Sequence, residues 1–234
     1  MRIQSTVAPH VSIEAHNPAG LQKAETALQR IASRPNGSTL LAEIARYSTN
    51  GRSLRINVTS AEISSAARAA LTTRQALARG IPDSDLNKEN NRTASSLARK
   101  TGWRKAEGSS AVVDWNPSEY PDIDAHGRPR LVNDEEHAFV SLAHELVHGY
   151  RMMKGTYTGG DGSDRYQAGT PAAIEEDRAV GIGRYAGKLL SENGIRQEHD
   201  LPLRGQYRAA TPVYQPEDNA DMVFSRRRDS FEQD

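Results

Sequence analysis

The chain has 234 residues, 30 Lys+Arg against 30 Asp+Glu, and no cysteine. A balanced charge excludes the net field that draws a protein to nucleic acid or an anionic membrane. The missing cysteine excludes thiol nucleophiles, disulfides and Cys-held zinc. No apolar run approaches the ~20 residues that a bilayer requires, so no membrane insertion is expected.

Residues 1–19 show no sustained period and are broken by Pro9 and Pro18, which predicts a flexible N-terminal arm. The arm lacks the basic start and continuous apolar stretch of a Sec signal peptide, so any export is expected to use another route. Leu21, Ala24, Ala27, Leu28 and Ile31 recur at helical spacing before Pro35-Asn36-Gly37. A second short helix, Leu40 to Tyr47, precedes an Asn50-Gly51 turn. "SLRINVTS" alternates Leu54, Ile56 and Val58 with polar neighbours, the period of a half-buried strand. Alanine-rich residues 60–79 read as helical, and polar residues 80–108 as loop.

"SSAVVDWNPSEYPD" reads as a strand that stops in a turn, at a sheet edge because Pro117 sits at its end. "LVNDEEHAFVSLAHELVHGYRMMKG" is the strongest helical signal, with Asn133 or Asp134 as its cap and Gly155 as its stop. Thr170-Pro171 opens another helix expected to run through Leu190. The reading is one domain over residues 20–215 with a charged C-terminal tail over 216–234, and no internal repeat.

Chemistry concentrates in His144, Glu145 and His148. At i and i+4 on a helix, the two histidines are ~40° apart around the axis and ~6 Å apart along it, so their rings converge. Two imidazole ligands of a tetrahedral zinc need nitrogens ~3.3 Å apart, which this spacing supplies. Glu145 projects ~100° from His144, too far round to be an easy ligand yet placed to serve as general base. A third ligand is required. His137 is seven residues before His144, ~10 Å along the helix, and is too far. The next helix offers Glu175 and Glu176, of which only one should bind because adjacent residues diverge by ~100°. Glu176 shares a predicted face with Val180, Gly183 and Gly187, Glu175 with Ala179 and Ile182, and periodicity does not choose between them.

These residues resemble a known group. "LAHELVHG" followed by "EEDRAVGIG" is similar to the zinc site of clostridial neurotoxin light chains, where the second member of a paired glutamate is the third ligand. The resemblance implies that Glu176 is the ligand here. Those proteases carry an Arg-x-x-Tyr pair near the metal, and "LRGQY" places Arg204 and Tyr207 at that spacing. The roles implied are those of donors to the oxyanion that develops on the attacked carbonyl. From about Ala111 to Tyr207, "VVDWNP", "HELVHGY", "EEDRAVG", "SENGIR" and "LPLRGQY" resemble, in order, the NleD-type effector proteases that Gram-negative pathogens inject into host cells by type III secretion. That resemblance implies a host protein as partner, by family habit a mitogen-activated protein kinase cut in its activation loop.

The expectation is therefore an α+β, zincin-like (gluzincin) endopeptidase: a small sheet, the HExxH helix, a second ligand-bearing helix and one Zn2+ per chain. The metal ligands are His144, His148 and Glu176, and the catalytic residues Glu145, Arg204 and Tyr207. The protein is expected to act as a monomer in the host cytoplasm, its substrate pairing as a strand beside "AVVDW". Two rival readings are an effector that binds its host target without cutting it, and a zinc hydrolase acting on another amide.

Overall fold

A computed structural model describes residues 1–60, 62–160 and 162–207. Seven strands and seven helices occur among them: β1 Arg2–Gln4, β2 Val11–Glu14, α1 Pro18–Ala32, α2 Pro35–Tyr47, β3 Leu54–Val58, β4 Ala66–Ala70, α3 Thr73–Leu77, α4 Lys88–Ala98, β5 Ser110–Trp115, β6 Glu119–Ile123, β7 Pro129–Asn133, α5 Phe139–Met153, α6 Pro171–Val180 and α7 Glu192–Glu198, with a 3-10 turn at Gly183–Tyr185. The fold is α+β, as expected.

Five strands form one mixed sheet in the order β1-β2-β3-β5-β4. β2, β3 and β5 run parallel, while β1 and β4 pair antiparallel at the two ends. Leu54, Ile56 and Val58 of β3 register with Ala111, Val113 and Trp115 of β5, and these six buried residues form one apolar face. The opposite face is polar: Asn57 donates to Asp114 at 2.9 Å, and Asp85 accepts from Arg55 at 2.6 Å and Arg68 at 2.7 Å. This two-sided alternation orients the sheet toward α1 and α5.

α5 lies on the apolar face with every one of its residues buried. Gly149 permits the close approach, since a Cβ there would come within 2.7 Å of Leu54 Cδ1 and 3.4 Å of Ala111 Cβ. Burial of Leu142 and Leu146, each fully enclosed, is worth about 1.5–3 kcal/mol per side chain. The sheet thus fixes the helix that carries His144 and His148.

The first 19 residues are not a flexible arm. They supply β1 and β2, and Val11 and Ile13 are fully buried in the core. Their alternation is only one period long, too short to read against Pro9 and Pro18. α2 starts at Pro35, which serves as the first helical residue because its missing N–H has no helical partner there. At Gly37 a Cβ would fall 1.9 Å from the Ile31 carbonyl oxygen, so only glycine fits where α1 meets α2.

The alanine-rich segment holds strand β4 and the short α3, and the predicted loop over 80–108 contains α4, capped by the Asn87 side chain. Pairing with β5 overrides the helical preference of Ala66–Ala70. β5 is consequently interior, and β4, not "AVVDW", is the free edge nearest α5. The helix expected from Asn133 begins at Phe139, because Pro129–Asn133 pairs with Glu119–Ile123 as a hairpin. Asp124 ties that turn by accepting from the His126 and Arg128 amides. α6 ends ten residues before Leu190, because Gly181 takes a left-handed φ of 84° and caps it. Gly183 and Gly187 therefore lie off the helix, and the face predicted for them with Glu176 does not exist. The predicted tail over 216–234 lies outside the described residues.

Candidate active site

Three helices and the segment after them converge on one cleft of about 250 Å3. α5 brings His144, Glu145 and His148, α6 brings Glu175 and Glu176, and α7 brings Glu192 and Arg196. Residues 201–207 add Arg204 and Tyr207. His144, Glu145, His148, Glu176, Arg204 and Tyr207 all line this cleft, so the structure brings the whole predicted set together.

The centre is a triangle. His144 Nε2 and His148 Nε2 are 3.1 Å apart, and Glu176 Oε2 lies 3.2 Å from the first and 3.1 Å from the second. All three side chains are buried. The edges approach the ~3.3 Å separation of two ligands on a tetrahedral ion bound at 2.0–2.1 Å. Two imidazole lone pairs and a carboxylate facing one another leave no neutral donor between them, and a cation is the species that such a set fits. Without one, protons take that role. Burial opposes charge on His144, but hydrogen bonds to Glu176 and Glu192 outweigh it and raise its pKa to about 9. His148 moves the same way, burial being outweighed by Glu176 and Glu175. Glu176 goes down, because both histidines outweigh its burial.

Each histidine of the triangle has a buried glutamate behind it. His144 Nδ1 is 2.9 Å from Glu192 Oε2, which fixes the ring with Nε2 facing the centre. Glu192 is fully buried and is held by Arg196 Nε at 2.8 Å and Arg204 Nη1 at 2.8 Å, which keep its carboxyl well below the usual range despite burial. Arg196 in turn donates to Tyr120 Oη at 3.1 Å and to the Pro121 carbonyl, tying α7 to the hairpin. On the other side, Glu175 Oε1 is 3.8 Å from His148 Nδ1. It accepts two hydrogen bonds from Arg151 and two from Thr158, and His148 and Arg151 bring its pKa to about 2 against the cost of burial. The paired glutamates thus point to opposite sides of His148, one into the triangle and one behind it.

The Glu145 side chain makes no hydrogen bond among the described residues, and burial pushes its carboxyl pKa up. An unpaired carboxylate with raised basicity beside a ligand triangle suits proton transfer. Tyr207 stacks near His144 at 6.2 Å between centroids and near Tyr166 at 5.9 Å. Burial and Glu176 push its phenol pKa up, so it stays protonated and a donor. Arg204 has a different surrounding from a free oxyanion donor. Besides Glu192 it binds the Gln206 carbonyl at 3.0 Å and the Tyr207 carbonyl, and its guanidinium sits 5.1 Å from the Tyr207 ring.

Two residues of the cleft escape sequence reasoning. Glu192 looks like the exposed half of an i,i+4 pair with Arg196, and its helical first-turn position gives it an ordinary dipole role. Tyr157, with its ring 5.9 Å from that of His148 and its phenol raised by burial, carries no sequence signal at all.

Against solved structures, the chain is similar to the catalytic domain of Clostridium botulinum neurotoxin serotype F at 17% identity and a TM-score of 0.42, covering 80% of this chain and 56% of that one. It is also similar to a serotype F light chain (15% identity, TM-score 0.37, 64% and 48% covered) and to the botulinum neurotoxin serotype HA light chain (17%, 0.36, 62% and 46%). The chain spans about half the length of the structures it matches. No curated protein matches it in sequence. The family model Peptidase M91, described as "Effector protein", matches residues 17–207, from the cap of α1 to Tyr207. The chain belongs to the Peptidase M91 effector family.

Proposed function

We propose that this protein is a zinc endopeptidase that hydrolyses a peptide bond in a host protein. The observation that carries the reading is the triangle of His144 Nε2, His148 Nε2 and Glu176 Oε2, with edges of 3.1–3.2 Å, beside the unpaired Glu145. Those three side chains would hold the ion. Zinc, when bound, acts as a Lewis acid on the peptide carbonyl and lowers the pKa of water. Glu145 takes the proton of the attacking water and delivers it to the leaving amine. Tyr207 donates from its phenol to the carbonyl oxygen as negative charge grows there. Arg204 holds the Tyr207 segment against Glu192 and leaves part of its five-donor guanidinium for the same oxygen.

The substrate would lie extended along β4, the end strand of the sheet, whose neighbours Ser64 and Ser65 also line the cleft. By resemblance to the NleD-type proteases, the class proposed is the activation loop of a host mitogen-activated protein kinase, reached in the host cytoplasm by type III secretion, with the protease working as a monomer.

The test is a host-cell lysate incubated with the zinc-loaded protein, alone and with a chelator, and analysed for new protein termini. The reading expects chelator-sensitive cleavage at a small set of sites, one of them in a kinase activation loop. Capture of a host protein without any new terminus would replace the protease by a binding effector.

A further inference from the structure

A second groove of about 720 Å3 opens from the catalytic cleft, and the two share Ala67 and Tyr157 as walls. One side is β4, whose Ala67, Arg68 and Ala69 face it. The other is a face of α4 and the residue that ends it. Lys88 and Arg92, at i and i+4, fall within ~40° of one another around the axis, Arg99 follows just past the helix in extended conformation, and all three border the groove. None of the three has an ion-pair partner among the described residues, whereas Arg68 is already paired with Asp85 and Asp114. Among the described residues that line it, Asp164 is the lone carboxylate. Like charges one helical turn apart cost a few tenths of a kcal/mol, so α4 gains nothing in stability from this stripe. An anionic occupant would relieve it.

A peptide pairing with β4 leads there directly. From Ala67, at the catalytic end, to Ala69 is two residues, ~7 Å at strand rise, so a chain extended along this edge passes Tyr157 and meets the wall of Arg92 and Arg99 within a few residues of the cleaved bond. We propose that the groove wall made by Lys88 and Arg92 of α4 and by Arg99 just past its end is a specificity subsite that takes an anionic side chain of the extended substrate a few residues from the scissile bond. The inference rests on the protease reading for its reaction, and on the groove alone for its ligand. Aspartate, glutamate and phosphorylated side chains share the chemistry required, and the substrates tested separate them.

Two measurements decide it. First, the zinc-loaded protein cleaves a degenerate peptide library, one set unmodified and one carrying phosphoserine, and both sides of each cut are sequenced. Enrichment of an acidic residue at one fixed position, lost or reversed toward Lys and Arg in R92E/R99E at unchanged zinc content, supports the subsite. Enrichment in the phosphoserine set alone assigns it to phosphorylated substrates. Cleavage with no acidic preference, or a preference that R92E/R99E leaves intact, overturns it while the protease stands. Second, binding of a fluorescein-labelled alternating Glu/Ala decapeptide and its Gln/Ala counterpart is measured by anisotropy without turnover. The Glu peptide should bind about tenfold more tightly, a difference of ~1.4 kcal/mol that R92E/R99E removes. Equal binding of the two peptides overturns the subsite. Glu-selective binding by a protein that cleaves nothing keeps the subsite and ends the protease reading.

Discussion

Glu192 shows how far a single buried carboxylate can govern the centre. It reaches His144 Nδ1 at 2.9 Å and is itself clamped by Arg196 and Arg204. Glu192→Gln keeps the shape but withdraws the charge that favours His144 Nε2 as a ligand. Zinc affinity, measured by competition with a chromophoric chelator, should fall about 10–100-fold. Unchanged affinity would reduce Glu192 to a structural ion-pair partner. Tyr207→Phe removes one donor to the growing oxyanion and should lower kcat by ~2–4 kcal/mol of transition-state stabilisation at unchanged zinc content. Loss of zinc in that variant would make Tyr207 structural instead.

Among the elements, α5 and α6 are locked by Arg151 and Glu175, 3% and 1% exposed. Arg151→Met strands a buried carboxylate, and unfolding in urea should show a loss of about 3–5 kcal/mol. A change below 1 kcal/mol would mean that Glu175 finds its charge balance in His148 and Thr158 alone. The same elements show what local pattern can reveal. α1, β3 and the HExxH segment of α5 declare themselves through periods of 3.6 and 2 over enough residues to count. Strand β4 does not, because five residues of alanine and arginine have no β preference until β5 lies beside them. The hairpin β6–β7 hides behind Pro121 and Pro129, and α6 ends on a Gly181 whose left-handed φ leaves little trace in hydrophobic spacing. The site was legible to the extent that its ligands sit on one helix. That Glu176 faces both histidines and that Glu192 backs His144 is set by contacts 28 and 48 residues apart in the chain, and Tyr157 meets His148 only through the turn that follows α5.

For the whole molecule, one core runs from Ala8 to Ile195, and the triangle joins α5 and α6 at its margin. An ion bound there only in the folded state should stabilise the protein by mass action, about 2.7 kcal/mol at a free concentration one hundred times Kd. Chelation should therefore lower Tm in wild type and leave it unchanged in Glu176→Gln. Equal shifts in both proteins would place the stabilising ion elsewhere.

The central claim is that His144, His148 and Glu176 hold a catalytic zinc for which Glu145 is the base. It is tested most directly by comparing proteolysis of one protein substrate by wild type and Glu145→Gln at matched zinc content. The account predicts one zinc per chain in both and loss of nearly all cleavage in the variant. Retained proteolysis by Glu145→Gln at full zinc content would contradict it.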